Sequence, residues 1–127
     1  MNKLQSLNKR TAPKSVMPEK IIQFGEGNFL RAFVDWIVWN MDQKTNFNGS
    51  VVVVQPIDRG MVDWLNGQDC LYHVNLQGRL NGEPVNSLER IDVISRALNP
   101  YSPNAAFMAL AEQPEIRFVL STTTEAG

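Results

Sequence analysis

Short, continuous apolar runs recur along the chain, and each is bounded by a proline, a glycine or a polar loop. Residues 20–24, 50–55 and 116–121 form three such runs, and the middle one contains four consecutive valines. An apolar run of this length is typical of a strand that is buried on both faces of a parallel sheet. The pattern therefore predicts an α/β fold built on a parallel sheet.

Apolar residues that recur three or four positions apart predict a helix over residues 28–44. The first stripe consists of Phe29, Phe33, Trp36 or Ile37, and Met41, and a second stripe beside it consists of Leu30, Val34, Ile37 and Met41. Polar residues form only a thin edge, made of Asp35, Asp42, Gln43 and Lys44. One face of so apolar a helix is expected to pack on the sheet, and Trp36 and Trp39 are expected to face another domain or subunit.

Strict alternation over residues 69–77 predicts a different kind of strand, with one wet face. Tyr72, Val74 and Leu76 share the apolar face, whereas His73, Asn75 and Gln77 share the polar face. Asn81 and Gly82 predict a hairpin turn, and the returning strand is predicted over residues 84–95. A loop or a short helix is predicted over residues 60–68. The hairpin is not part of a minimal βαβ unit, so it is interpreted as an insertion.

A second helix is predicted between the hairpin and the last apolar run. Ser102 suits the N-cap and Pro103 the first helical position, because proline fixes a helical φ and its missing N–H is not needed there. The helix is expected to end before Pro114.

Length and charge bound the possible partners. The chain has 127 residues, enough for one domain with its own core, and a formal net charge of −1. A charge this small gives no reason to expect a nucleic-acid or membrane partner. Residues 1–17 are basic and lack periodicity, so we expect a flexible arm, with a basic binding tail as the alternative. Residues 18–127 form the expected domain.

Cysteine and histidine are too few for a disulfide or a metal centre. Cys70 is the single cysteine and His73 the single histidine, so no metal site is expected. Cys70 is interpreted as a small buried residue and not as a nucleophile. No secretory signal or membrane span is visible in the sequence. We therefore expect a cytoplasmic location.

Two glycines separate the first predicted strand from the first helix. Gly25 permits a sharp turn, and Gly27, lacking a Cβ, lets the backbone approach a diphosphate closely. Free N–H groups of the following helix would then face the anion. The third glycine of the usual dinucleotide pattern is replaced by Leu30. The alternative is a turn that needs glycine for its geometry and binds nothing.

The predicted cofactor-binding residues fall in three segments. The first is the turn with its flanks, namely Ile22, Gln23, Phe24, Gly25, Glu26, Gly27, Asn28, Phe29, Leu30 and Arg31. Arg31 would either reach a phosphate or pin the loop through carbonyl contacts. Asp58, after the second strand, would bind ribose hydroxyls or simply be solvated, and the adjacent Arg59 leaves a 2′-phosphate conceivable. Thr123, Thr124 and Glu125, after the last strand, would bind the nicotinamide ribose or carboxamide, or form a polar loop.

These segments also carry a family resemblance. Residues 25–33, G-E-G-N-F-L-R-A-F, resemble the G-x-G-x-F-x-R-A pattern of the mannitol dehydrogenase family of polyol and sugar-acid dehydrogenases. Residues 21–36 resemble the tagaturonate reductases (altronate oxidoreductases) within it. Further matches lie at residues 51–57 and 117–127, so the resemblance extends from about residue 18 to the last residue.

The resemblance implies both a fold and a reaction. It implies part of a Rossmann-type domain that binds NAD, in an enzyme of hexuronate breakdown that transfers hydride between NAD(H) and D-altronate or D-tagaturonate. The sugar acid would be held by a carboxy-terminal domain that carries a catalytic lysine, so no catalytic residue is expected in these 127 residues. Fructuronate reductase, mannitol dehydrogenase, a non-catalytic nucleotide-binding module and a methyltransferase are the alternatives.

Overall fold

A computed structural model describes residues 3–102 and 106–122. Along the chain the elements are β1 (Glu19–Phe24), α1 (Asn28–Ala32), α2 (Val34–Lys44), β2 (Ser50–Val54), α3 (Val62–Gly67), β3 (Tyr72–Leu80), β4 (Glu83–Ile91), β5 (Ile94–Leu98), α4 (Ala106–Ala109) and β6 (Phe118–Ser121). A 3₁₀ turn, Leu110–Glu112, follows α4. None of the helices in these two ranges is long and apolar enough to cross a membrane.

Four parallel strands form the central sheet in the order β5-β2-β1-β6. Phe24, the last residue of β1, pairs with Val54 on one side and with Ser121 on the other. The carboxyl ends of the three strands therefore lie at one edge. The chain leaves β1 towards β2 on one side and reaches β6 on the other, so β1 borders the switch point where open α/β sheets bind ligands. The predicted parallel α/β fold is confirmed.

The alternate residues of β2 separate two hydrophobic clusters. Val51 and Val53 pack with residues of α2, α3 and the β3–β4 hairpin, whereas Val52 and Val54 pack with Leu110 beyond α4. Every residue of β2 is buried, because helices cover both faces and strands flank both edges. This explains why the sequence of β2 is a continuous valine run instead of an alternating pattern.

The predicted helix over residues 28–44 is distorted at one residue. Phe33 has φ −113° and ψ −70° and separates α1 from α2. Its N–H still donates to the Phe29 carbonyl at 2.9 Å, and its carbonyl accepts from Ile37 N at 3.0 Å. The hydrogen bonds therefore continue through the distortion, which explains why the apolar periodicity gave no sign of it.

The two tryptophans of α2 do not form its outer surface. Trp36 and Trp39 are partly buried against the first cluster, and Trp36 Nε1 donates to the Glu89 carboxylate of β4 at 3.2 Å. Within the described residues their contacts are thus with the core and the hairpin, and a contact with another domain or subunit stays a prediction. Among the described residues, the exposed apolar stripe along α1 and α2 consists of Phe29, Phe33, Ile37 and Met41.

The returning strand predicted over residues 84–95 is in fact two strands. β4 ends at Ile91 and pairs antiparallel with β3, whereas β5 lies parallel to β2 in the central sheet. The sequence concealed β5 because it carries polar residues. Arg96 of β5 donates from Nε to the Glu19 carboxylate at 2.9 Å, as suits the outer strand of the described sheet.

The hairpin is present, with a later start than predicted. Asp69 and Cys70 have φ of 55° and 58°, a turn conformation, so β3 begins at Tyr72. Tyr72 and Val74 are buried while His73 and Asn75 are exposed, which confirms the predicted faces. The inserted hairpin packs over α2 and extends the first cluster.

Part of the predicted flexible arm makes hydrogen bonds to the domain. The Lys9 N–H donates to the Asp69 carboxylate at 2.9 Å, Lys14 Nζ donates to the Asp69 carbonyl at 2.6 Å, and the Ser15 N–H donates to the Asp92 carboxylate at 2.9 Å. These contacts place the arm beside the start of β3 and the β4–β5 junction.

Candidate functional site

The glycine turn lies at the carboxyl end of β1, next to the switch point. The Gly25 N–H donates to the Val54 carbonyl at 2.9 Å, which extends the β1–β2 ladder by one residue. Gly25 then turns with φ +133°, a conformation that side chains with a Cβ rarely adopt. A Cβ here would also lie only 2.8 Å from Leu30 Cδ1. Gly25 is therefore required by the geometry of the turn.

Gly27 is required by neither backbone conformation nor internal packing. Its φ of −70° and ψ of 169° are ordinary, and it is the N-cap of α1 without a side-chain cap bond. A Cβ at this residue would find no heavy atom within 4 Å. The turn is thus open above Gly27, and the first N–H groups of α1 have no partner within the helix. This is the arrangement that a bound anion needs.

The segment after β6 begins beside this turn. Thr122 Oγ1 lies 3.5 Å from the position that a Cβ of Gly25 would occupy. The register of β1 with β6 explains the approach, because Phe24 and Ser121 are paired. Thr123, Thr124 and Glu125 lie outside the described residues, so their predicted role stays a prediction.

Arg31 is tied to the turn from inside the protein. Its side chain is only 6% exposed. Nε donates to the Glu26 carbonyl at 2.8 Å and Nη2 to Asn28 Oδ1 at 2.6 Å. The guanidinium also lies 5.4 Å from the Trp64 ring and 5.2 Å from the Tyr72 ring. These contacts match the second predicted role, pinning the loop, while phosphate contact stays a prediction.

The Arg31→Lys substitution is expected to lower the free energy of unfolding by about 2 kcal/mol. Lysine keeps the charge but cannot bond the Glu26 carbonyl and the Asn28 side chain in the same fork, nor stack in the same way on two rings. Urea unfolding followed by tryptophan fluorescence measures the change. Arg59→Lys is the matched control, because Arg59 is exposed and its replacement should change little. Equal stability of the two variants would contradict the pinning role.

A fully buried polar pair lies beneath the turn and escaped sequence reasoning. Gln23 and Asp35 are both 0% exposed. Gln23 Nε2 donates to the Gly25 carbonyl and to Asp35 Oδ2, each at 3.0 Å. Asp35 was predicted on the polar edge of the helix, which is wrong, since this residue faces the sheet. No spacing rule reveals a buried carboxylate, because its partner lies in another element.

Burial also raises pKa values in this region. Desolvation raises the pKa of Asp35 to about 7, against smaller opposing effects of the Gln23 hydrogen bond and the Arg31 charge. Desolvation likewise raises the pKa of Tyr72, whose hydroxyl donates to the Arg31 carbonyl at 2.7 Å. Tyr72 is therefore a neutral donor at physiological pH.

The other predicted residues of the turn differ in exposure. Glu26 is 8% exposed, so its carboxylate does not fill the space above Gly27. Phe29 is exposed and stacks on Phe33, with ring centroids 5.4 Å apart. Ile22 and Phe24 pack in the second cluster. Leu30 is buried. The hydrophobic members thus support the turn from below, except for Phe29.

Asp58 lies in an exposed loop at the carboxyl end of β2. Gln55, at the start of this loop, is buried and donates from Nε2 to the Ile57 carbonyl at 2.8 Å. A Cβ on Gly60 would lie 2.5 Å from the Gln55 side chain, so the glycine lets the loop close over it. Asp58 and Arg59 are exposed at the edge that holds the glycine turn. Both predicted alternatives for Asp58 stay open.

A cavity of about 210 Å³ adjoins the turn on the side of the hairpin. Its lining includes Asn28 and Arg31 from α1 and the exposed His73 and Asn75 from β3. Sequence reasoning placed His73 and Asn75 on a wet face but not beside the turn. Within residues 3–102 and 106–122, no group of three or more histidine, cysteine, aspartate or glutamate side chains is placed to hold a metal ion.

The family described as the mannitol dehydrogenase Rossmann domain matches residues 19–127. The chain belongs to this family. In the structure, the family pattern G-x-G-x-F-x-R-A falls on Gly25 to Ala32, that is, on the open turn and α1. The resemblance read from the sequence is confirmed.

Relatives within the family are similar over nearly the whole chain. An altronate oxidoreductase of Phocaeicola vulgatus is 73% identical and one of Bacteroides thetaiotaomicron is 75% identical, each over 98% of this chain. An altronate oxidoreductase of Bacillus subtilis is 48% identical over 98% of this chain. The chain spans about a quarter of the length of these relatives, 26% in each case.

Two solved dehydrogenase structures share the fold. The mannitol 2-dehydrogenase of Pseudomonas fluorescens, in a ternary complex with NAD and D-mannitol, has a TM-score of 0.76 at 27% identity. This match covers 95% of the present chain and 27% of the dehydrogenase. A substrate-free D-sorbitol dehydrogenase has a TM-score of 0.68 and covers 90% of the chain. The predicted Rossmann-type fold is thereby confirmed.

Proposed function

We propose that the chain binds NAD(H), with the diphosphate against the backbone of residues 25–29. The observation that carries the proposal is the open space above Gly27, at the carboxyl edge of the sheet and next to the switch point. A turn that served geometry alone would need Gly25 but would have no reason to keep residue 27 bare. The residues present therefore fit a dinucleotide.

Backbone amides at the start of α1 would hold the diphosphate, since their N–H groups have no helical acceptor. Asp58, at the end of β2, would accept hydrogen bonds from the adenosine ribose. Thr123, Thr124 and Glu125 would bind the nicotinamide ribose or carboxamide. Support for this last assignment is the position of Thr122 beside Gly25. When bound, NAD supplies the hydride chemistry, and the chain supplies position and a dry boundary.

For the whole protein we propose hydride transfer between NAD(H) and a sugar acid, D-altronate or D-tagaturonate, in the cytoplasm. The support is 73% and 75% identity to two altronate oxidoreductases, against 27% to a mannitol 2-dehydrogenase. The groups that bind the sugar acid and move its proton would lie in the part of the relatives that this chain does not span. These 127 residues would bind the cofactor without turning over a substrate.

Titration of the chain with NADH, followed by nicotinamide fluorescence, tests the first proposal. Saturable binding that NAD⁺ competes for and S-adenosylmethionine does not is the expected result. Absence of NADH binding would refute it, as would a preference for S-adenosylmethionine. Incubation with D-altronate and NAD⁺ tests the second proposal. No NADH should accumulate with the chain alone, and steady turnover would show that catalytic residues lie within it.

A further inference from the structure

Among the residues that the structure describes, three buried oxygen atoms at the glycine turn lack a hydrogen-bond donor, namely Glu26 Oε2 in the turn itself and one oxygen each of Gln23 and Asp35 beneath it. Gln23 Oε1 and Asp35 Oδ1 are both fully buried, and neither has a partner within the described ranges. The two side chains are already joined, because Gln23 Nε2 donates to Asp35 Oδ2 at 3.0 Å. A buried acceptor without a donor is unfavourable by about 1–3 kcal/mol. Two such atoms on one bonded pair call for a common explanation.

The orientation of the Gln23 amide is fixed by its surroundings. Its Nε2 faces two acceptors, the Gly25 carbonyl and Asp35 Oδ2. A flipped amide would direct its oxygen at both, so that no flip can supply the missing bonds. The missing donor must therefore come from elsewhere.

The neighbouring charged and titratable groups do not supply it. Arg31 of α1 directs Nε and Nη2 to the Glu26 carbonyl and Asn28. Tyr72 of β3 donates its hydroxyl proton to the Arg31 carbonyl. In the part of the chain that the structure describes, the one ion pair joins Arg96 and Glu19. Asp35 is thus buried without a cation in contact, the situation in which a carboxyl group keeps its proton.

We propose that Asp35 is a neutral carboxylic acid whose O–H donates to Gln23 Oε1, closing an acid–amide pair that positions the glycine turn. One proton satisfies the unpaired oxygens of Gln23 and Asp35. The same amide holds the Gly25 carbonyl through its second N–H. Asp35 is therefore a positioning residue, which acts on the cofactor only through Gln23 and the turn. Its effect on binding rests on the proposed NAD(H) site, whereas its protonation does not.

Ionisation of Asp35 would remove the shared proton and set an anion against Gln23 Oε1. The pKa of about 7 in the folded chain, raised by burial from 3.8, places this event near neutral pH. Because the pKa of Asp35 is higher in the folded chain than in the unfolded chain, this group stabilises the folded state fully at a pH below 3.8. The contribution is lost as the pH rises to about 7. Arg31 opposes the shift, and Tyr72, itself neutral there, faces Asp35 from β3.

The affinity for NADH should depend on the protonation state of Asp35. If only the protonated form holds the turn, the apparent dissociation constant for NADH rises with the ionised fraction. Between about pH 6 and about pH 8 the increase reaches roughly tenfold for a pKa near 7. An asparagine reproduces the shape of the neutral acid, and its NH₂ can donate to Gln23 Oε1 at every pH.

The test has a spectroscopic arm and a binding arm, both on the intact 127-residue chain. Carbon-13 NMR of labelled aspartate carboxyl groups, assigned with the Asp35→Asn variant, gives the pKa of Asp35 directly. NADH titrations across the same pH range compare wild type with Asp35→Asn, Asp35→Leu and the exposed control Asp63→Asn. We expect the Asp35 carboxyl to titrate near pH 7. The dissociation constant for NADH should rise tenfold with pH in wild type and in Asp63→Asn. It should not depend on pH in Asp35→Asn, and Asp35→Leu should bind NADH more weakly.

Each other outcome is decisive. A carboxyl of Asp35 that titrates near 4 would overturn the acid–amide pair. Titration near 7 with a pH-independent NADH affinity in wild type would overturn the positioning role. Titration near 7 in a chain that binds no NADH at any pH would support the pair and refute the proposed function, so the two failures are distinguishable.

Discussion

The Gly27→Val substitution is expected to weaken NADH binding at least about 100-fold while changing the free energy of unfolding by less than about 0.5 kcal/mol. The backbone of Gly27, with φ −70° and ψ 169°, suits a β-branched residue. No described heavy atom lies within 4 Å of its Cβ position. The new side chain therefore strains nothing in the free protein and occupies only the space assigned to the diphosphate.

Gly78→Val is the matched control for this prediction. Gly78 lies in β3 and also has no heavy atom within 4 Å of its Cβ position, but it is on the hairpin and away from the turn. In a fluorescence titration, Gly78→Val should bind NADH with the affinity of the wild-type chain. If Gly27→Val bound NADH as tightly as Gly78→Val, the diphosphate could not lie against the turn. If Gly27→Val unfolded the chain, the openness above Gly27 would be wrong.

The strands that were predicted well from the sequence are those in which each face has a single environment along its length. β2 is buried at every residue, so its hydrophobicity alone identifies it. β3 has one buried and one exposed face, and its alternation identifies it equally well. β5 has neither pattern, because Arg96 bonds across the sheet to Glu19. A strand stabilised by a partner far away in sequence cannot be recognised from its own residues.

The candidate site was predicted to a similar extent and for a similar reason. Glycine spacing after a strand reveals the turn, since the requirement for a missing Cβ is local. The inward roles of Arg31 and Asp35 depend on Tyr72, Trp64 and Gln23, which reach them from other elements. Sequence spacing contains no record of these meetings. Spacing therefore predicts the position of the cofactor-binding turn, but not the buried side chains that hold this turn in place.

Gly25→Ala is the substitution expected to cost the most stability, about 3 kcal/mol. Two effects add. At φ +133° any Cβ is strained, and the methyl group would lie 2.8 Å from Leu30 Cδ1, a side chain that is buried and cannot withdraw freely. The turn would have to move, so NADH affinity should fall together with stability. Urea unfolding and NADH titration measure the two losses on the same sample.

Gly82→Ala separates the two causes. Gly82 also has a positive φ, +83°, but nothing lies within 4 Å of its Cβ position, so this variant reports backbone strain without a clash and should cost about 1 kcal/mol. A double variant, Gly25→Ala with Leu30→Ala, removes the clash instead. Its loss should be smaller than the sum of the two single losses by about 1 kcal/mol. Strict additivity would show that Leu30 does not constrain the turn, leaving backbone conformation as the sole reason for glycine at residue 25.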